Sequence, residues 1–182
     1  MSASVLVGYA TRYGSTQEVA EEIAATLRER GLTVDIGPMR DVRTLDQYRA
    51  VVLGAPLFWN GWHGDARSFL ERHREALTQR PVAIFALGPF HSPIDEKEWQ
   101  YSREQLEKEL AQFPWLRPVA LELFGGKMDP AKLRFPYNLP ANPLKQMPPT
   151  DIRDWTAIRA WASTLAATLQ PAVSEASESH GG

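Results

Sequence analysis

Five short apolar runs, each followed by residues at helical spacing, leave this chain few folds to choose from. The runs are SVLVGYA (4–10), LTVDIGPM (32–39), AVVLGAP (50–56), PVAIFALG (81–88) and PVALELFG (118–125). The first, third, fourth and fifth are apolar almost without interruption, which is the mark of strands covered on both faces. Between them, Val19, Ala20, Ile23, Ala24 and Leu27 form one helical stripe. Phe69, Leu70, His73 and Leu77 form a second, with Asp65 as the expected N-cap. Trp99, Leu106, Leu110 and Phe113 suggest a third. Trp155, Ile158, Ala162, Leu165 and Leu169 make the cleanest, with Thr150 or Asp151 as its cap. Strands that alternate with helices require a parallel sheet and right-handed crossovers. The expected fold is α/β: a three-layer α/β/α sandwich on a five-stranded parallel sheet of order 2-1-3-4-5.

Residues 1–170 read as one domain, of a length that buries a substantial core. Residues 126–149 carry six of the fourteen prolines and read as a long ordered loop inserted late in the fold. The tail, PAVSEASESHGG (171–182), is small and polar and reads as disordered. The absence of cysteine excludes thiol nucleophiles, thiolate metal sites and iron–sulfur clusters, and no metal site is expected. With 22 acidic and 20 basic residues and no basic stripe, nucleic acid is not an expected partner. No apolar run approaches the ~20 residues of a membrane span, and the first residues lack a signal-peptide pattern. The expected location is the cytoplasm, with a peripheral position at a membrane left open.

In an open parallel sheet, ligands bind beyond the C-terminal strand ends where the strand order reverses. For this order, that is between the first and third strands. The turn ATRYGST (10–16) falls there and feeds the N-terminus of a helix, whose free N–H groups and dipole attract an anion. Thr11, Ser15 and Thr16 add hydroxyls, Gly14 permits close backbone approach, and Arg12 and Tyr13 complete the turn. The turn has neither G-x-x-x-x-G-K-[ST] nor G-x-G-x-x-G, so a terminal phosphomonoester suits it better than a nucleoside triphosphate or a dinucleotide. Helix capping by Ser15 or Thr16 is the alternative reading.

The loop after the third run, APLFWNGWHGDARSFL, brings Pro56, Leu57, Phe58, Trp59, Asn60 and Gly61 to the same crevice, with Trp62 and His63 close behind. Large aromatics there are either plugs on the core or a platform for a flat ligand, and the neighbouring phosphate turn favours the platform. Asn60-Gly61 can take positive φ, and a peptide that rotates there can meet a ring nitrogen whose protonation changes on reduction. His63 reads as a packed or capping residue or as a proton donor. After the fourth run, Leu87, Gly88, Pro89 and Phe90 lie beside the crevice, and Phe90 is placed to cover the other face of a flat ring. Trp99 fits the helix stripe and is expected in the core.

These residues resemble the flavodoxin family, and within it the bacterial flavodoxin-type oxidases of protoporphyrinogen. The segments ATRYGSTQEVA, VVLGAPLFWNGWHGDARSFLERH, WLRPVALELFGGKMDPAKL and PTDIRDWTAIRAWA carry the likeness in order from Ala10 to Ala162. The resemblance implies a flavodoxin-like sandwich and FMN as cofactor. Thr11 to Thr16 would bind its phosphate, Leu57 to Gly61 would frame the ring, and Leu87 to Phe90 would flank its other side. It also implies that the peptide near Asn60-Gly61 reorients to accept a ring proton. Residues 126–149 are shorter than the basic, apolar insertion of some such oxidases. Lys127, Lys132, Arg134 and Lys145, with Phe135, Tyr137 and Leu144, either meet a propionate-bearing tetrapyrrole or form a solvated loop. The expected function is that of an FMN-dependent oxidoreductase with a quinone, small-molecule or protein redox partner. The alternatives are a one-electron carrier and a binding module without redox role. A phosphoacceptor domain is disfavoured, because Gly54-Ala55 and Ala10-Thr11 stand where acids would be needed.

Overall fold

The computed structural model describes residues 4–58, 61–90 and 95–170. The tail expected to be disordered, Trp59, Asn60 and His91 therefore lie outside the described residues. Chain order runs β1 (Ser4–Tyr9), α1 (Ser15–Glu29), β2 (Val34–Pro38), β3 (Tyr48–Phe58), β4 (Gly61–Trp62), α2 (Gly64–Arg72), α3 (Arg74–Thr78), β5 (Val82–Leu87) and α4 (Glu96–Ala111). It continues with β6 (Ala120–Phe124), β7 (Lys127–Met128), α5 (Pro143–Gln146), β8 (Thr150–Asp151) and α6 (Trp155–Leu169). The main sheet has the order β2-β1-β3-β5-β6, all parallel, and β4 folds back antiparallel on the end of β3. Counting the five parallel strands along the chain, this is the expected order 2-1-3-4-5.

The uninterrupted apolar runs are explained by the two faces. On one face Val5, Val7 and Tyr9 of β1, Ala50 and Val52 of β3, and Phe85 and Leu87 of β5 pack against the stripes of α1 and α6. On the other, Leu6, Val51, Leu53, Ala55 and Ile84 pack against Phe69, Leu70 and Leu77 of α2 and α3. A side chain of either parity is thus buried, which is why Val5–Tyr9, Ala50–Ala55 and Val82–Leu87 carry no charged residue. Leu106 of α4 joins Ala86 and Leu123, with Trp99 partly buried against them.

Helix boundaries differ from the expected ones where a side chain other than the nominated one captures the free N–H groups. His63 caps α2, its Nδ1 accepting from Asp65 N–H at 3.1 Å, so Asp65 lies inside the helix. Asp154 caps α6 by accepting from Ala157 N–H at 3.0 Å. Thr150 and Asp151 instead form β8, which pairs antiparallel with β7. That pairing pinches residues 126–149 into a closed excursion containing a 3-10 turn at Pro130–Lys132 and the single turn of α5.

Gly54 in the middle of β3 is a close-packing position. A Cβ built there would lie 1.8 Å from Cζ of the buried Phe85 ring. Gly54→Ala is expected to destabilise the fold by about 1–3 kcal/mol or more through overpacking. In urea unfolding, adding Phe85→Leu should recover part of that loss, so the double variant is more stable than the sum of the singles.

Candidate cofactor cleft and its phosphate turn

Gly14 ends the turn after β1 in the left-handed region (φ 93°) and serves as N-cap of α1. Its own N–H donates to Thr11 Oγ1 at 2.8 Å, which closes the turn on itself. No side chain caps α1, so the capping alternative for Ser15 and Thr16 is not the arrangement found. Thr16 is fully buried, and its Oγ1 has no hydrogen-bond partner among the described residues. A buried hydroxyl without a partner costs roughly 1–3 kcal/mol, so a residue held this way at a helix N-terminus is suited to an acceptor from outside the chain. The helix N–H groups face the same side with their dipole.

Beside the turn, the C-terminal ends of β1, β3 and β5 open into a cleft of about 340 Å³, within the ~300–1,000 Å³ typical of small-ligand sites. Arg12, Tyr13, Ser15, Pro56, Leu57, Phe58, Leu87, Gly88 and Phe90 line it, as the sequence leads one to expect. Thr11 faces an adjoining pocket, while Pro89 lines a further cleft toward α4. Gly14 and Thr16 are not among the residues that line these pockets. Leu57 and Phe58 belong to the end of β3 rather than to a loop, since β4 extends that strand by pairing Leu57 with Trp62 and Phe58 with Gly61.

Trp62 corrects the platform reading. It is 4 % exposed, packs in the core and donates from Nε1 to Ala55 C=O at 3.2 Å. It is a plug, because the hairpin turns it inward. Gly61 has φ 109° and lies directly over a part-buried ion pair: a Cβ there would be 2.2 Å from Glu109 Oε1 and 2.4 Å from Arg67 Nη2. Glu109 accepts from Arg67 Nε at 2.9 Å and Nη2 at 2.6 Å. The position therefore requires glycine both for its φ and for its space.

The residues that sequence reasoning did not assign to the cofactor cleft come from the excursion. Gly126, Lys127, Met128, Leu133, Tyr137 and Leu144 form its outer wall. Gly126 N–H donates to Pro89 C=O at 2.8 Å, and the Thr150 hydroxyl donates to Phe90 C=O. Also unforeseen is Arg153, whose side chain is only 3 % exposed. It donates to Asp151 from Nε at 2.9 Å and Nη2 at 2.7 Å, and from Nη1 to Glu18 at 2.7 Å and to the Ser15 carbonyl at 3.2 Å. The guanidinium hydrogen bonds hold the Asp151 carboxyl below the ordinary carboxylate range. The motif TDIRDW carries this tie, but nothing in its spacing says that the arginine turns inward.

A parallel sheet of this order with a ligand crevice at its switch point defines a flavodoxin-like fold. The family model for the flavodoxin domain matches residues 6–138, and the chain belongs to that family. Protoporphyrinogen IX dehydrogenase [quinone] of Escherichia coli K12 is 24 % identical over 132 residues, covering 71 % of this chain and 72 % of that protein. Oxidised flavodoxin 1 of Bacillus cereus superimposes with a TM-score of 0.57 at 18 % identity, covering 92 % of this chain and 99 % of that one. The flavodoxin of Streptococcus pneumoniae TIGR4 does so with a TM-score of 0.58 at 15 % identity, covering 92 % and 100 %.

His63, half-buried, is kept neutral more readily than a free histidine, chiefly by burial and also by the nearby Arg12, with Asp65 opposing them. The unfolded chain therefore binds a proton that the folded one resists, and stability falls as the pH drops below about 6.5. Protonation at Nδ1 also removes the acceptor that caps α2. His63→Asn keeps a cap and should unfold in urea within about 0.5 kcal/mol of wild type at pH 7.5. Between pH 6.5 and 5 it should lose stability less steeply. The slope that remains belongs to His73, also lowered by burial and secondarily by Arg72 against a backbone hydrogen bond at Val42.

Proposed function

We propose that this chain is an FMN-dependent oxidoreductase, acting on protoporphyrinogen with a quinone as electron acceptor. The carrying observation is the partnerless Thr16 hydroxyl in an uncapped helix-start turn beside a mostly apolar cleft. A phosphomonoester on a flat ring system satisfies both halves at once. Thr11, Gly14, Ser15 and Thr16, with Arg12 and Tyr13, would hold the phosphate. Pro56, Leu57, Phe58 and Gly61 would frame one side of the ring, and Leu87, Gly88, Pro89 and Phe90 the other. Trp59 and Asn60 belong to the same proposal by position in the sequence. The flavin supplies the redox chemistry by taking electrons from one partner and passing them to another. The chain contributes orientation, exclusion of water and the backbone groups near the ring edge.

The substrate assignment is supported by the Escherichia coli relative and by the excursion that walls the cleft. Its near-neutral charge suits an enzyme better than a carrier with an acidic docking face. A carrier role is the second reading, supported by full-length superposition on the two flavodoxins. No described helix is long and apolar enough to cross a membrane. A quinone partner would place the molecule at a membrane surface from the cytoplasmic side.

Two measurements test this. Thr16→Val keeps the buried volume and removes the hydroxyl. It should weaken FMN by about tenfold or more while leaving riboflavin binding unchanged; equal losses would exclude the turn as the phosphate site. Anaerobic reduction of the FMN-loaded protein, followed by absorbance, should proceed in one two-electron step, and protoporphyrinogen with a quinone should turn over. Two well-separated one-electron steps without turnover would establish the carrier instead.

A further inference from the structure

Adjoining the main cleft is a second, polar pocket of about 350 Å³, which shares Arg12 and Phe58 with it. Three guanidiniums converge there from distant parts of the chain: Arg12 after β1, Arg40 after β2 and Arg134 from the excursion. Asp65 is the one carboxylate among the lining residues, in a chain whose net charge is −2. Arg12 and Arg134 form no salt bridge among the described residues, and Arg40 has only a 4.0 Å approach to the exposed Asp41. Like charges gathered in a concave surface repel one another, and an anion relieves that repulsion.

The remaining features of the pocket also favour an anion. Arg12 lies over the rings of Tyr13, Phe58 and Tyr137 at 5.7, 5.9 and 5.4 Å. Stacking engages the face of a guanidinium and leaves its N–H edge for a planar acceptor. His63, whose Nδ1 accepts from Asp65 N–H, carries its neutral-form proton on Nε2 and is a further donor. The N-terminus of the nine-residue α2 begins at Gly64 on the same wall.

We infer that this arginine pocket binds the carboxylate groups of the oxidoreductase's substrate. Arg40 and Arg134 are its specificity residues. The inference rests on the oxidoreductase reading above. It adds to it by placing the anionic end of the substrate in a pocket that shares Arg12 and Phe58 with the cofactor cleft and takes in Thr11 at the edge of the turn. A carboxylate meets paired guanidinium N–H donors there, an arrangement that lysine does not reproduce.

The test uses the FMN-loaded protein, with protoporphyrin IX and its dimethyl ester as probes in absorbance titrations. Arg40→Gln and Arg134→Gln, both at exposed positions, should each weaken protoporphyrin IX by about tenfold. The ester should bind weakly and equally to wild type and variants, and FMN affinity should be unchanged. In turnover, KM should rise while kcat holds. Unchanged binding of the dicarboxylate in the double variant overturns the inference, as does failure of the wild type to bind it. A matching loss of FMN affinity also overturns it, since the pocket would then serve the cofactor. Arginine-dependent binding without protoporphyrinogen oxidation leaves the pocket standing and removes the oxidase reading. Oxidation with wild-type KM in both variants does the reverse.

Discussion

One buried guanidinium ties the working end of this fold together. Arg153 sits at the start of α6 with almost no exposed surface, and a guanidinium so placed must find acceptors for its N–H groups or carry a heavy desolvation penalty. It finds them in Asp151 at the close of the excursion, in Glu18 on the first turn of α1, and in the carbonyl of Ser15, the first residue of that helix. Its face lies over Trp155, with the guanidinium carbon 4.8 Å from the ring centre. Two segments far apart in sequence, the start of α1 and residues 151–153, are thereby held in one arrangement. The uncapped turn before α1 and the wall that lines the cleft are two ends of the same tie.

The sheet was legible because its physics is local and redundant. Each central strand is buried on both sides, so every residue in it repeats the same message, and the strand order follows from the alternation with helices. The crevice was legible for a related reason, since a fixed strand order fixes where its C-terminal ends converge. The turn at 10–16 combined that position with hydroxyls, a glycine and a following helix, and it lies beside the cleft.

What sequence reading missed depends on where a side chain turns at an irregular point. Trp62 and Trp59 look equivalent in a short aromatic loop. The two-residue β4 nevertheless rotates Trp62 into the core, where its N–H finds Ala55. His63 took the cap that Asp65 was expected to supply, because a ring nitrogen one residue outside the helix reaches the second N–H. The excursion reads as a proline-rich loop, and nothing in its composition says that β7 and β8 pinch it shut against Phe90. Arg153 is the extreme case, a charged residue in a polar motif whose burial is decided by partners at positions 15, 18 and 151.

The wall formed by Met128, Leu133, Tyr137 and Leu144 has a consequence for time rather than affinity. Those side chains stand on a closed excursion pinned at both ends and line one side of the cleft. A flavin held against that wall would be released more readily when the segment lifts, which ties its residence time to local opening of the excursion. Exchange would then track the strength of the β7–β8 pairing and its hydrogen bonds, even with every contact to the ring left unchanged.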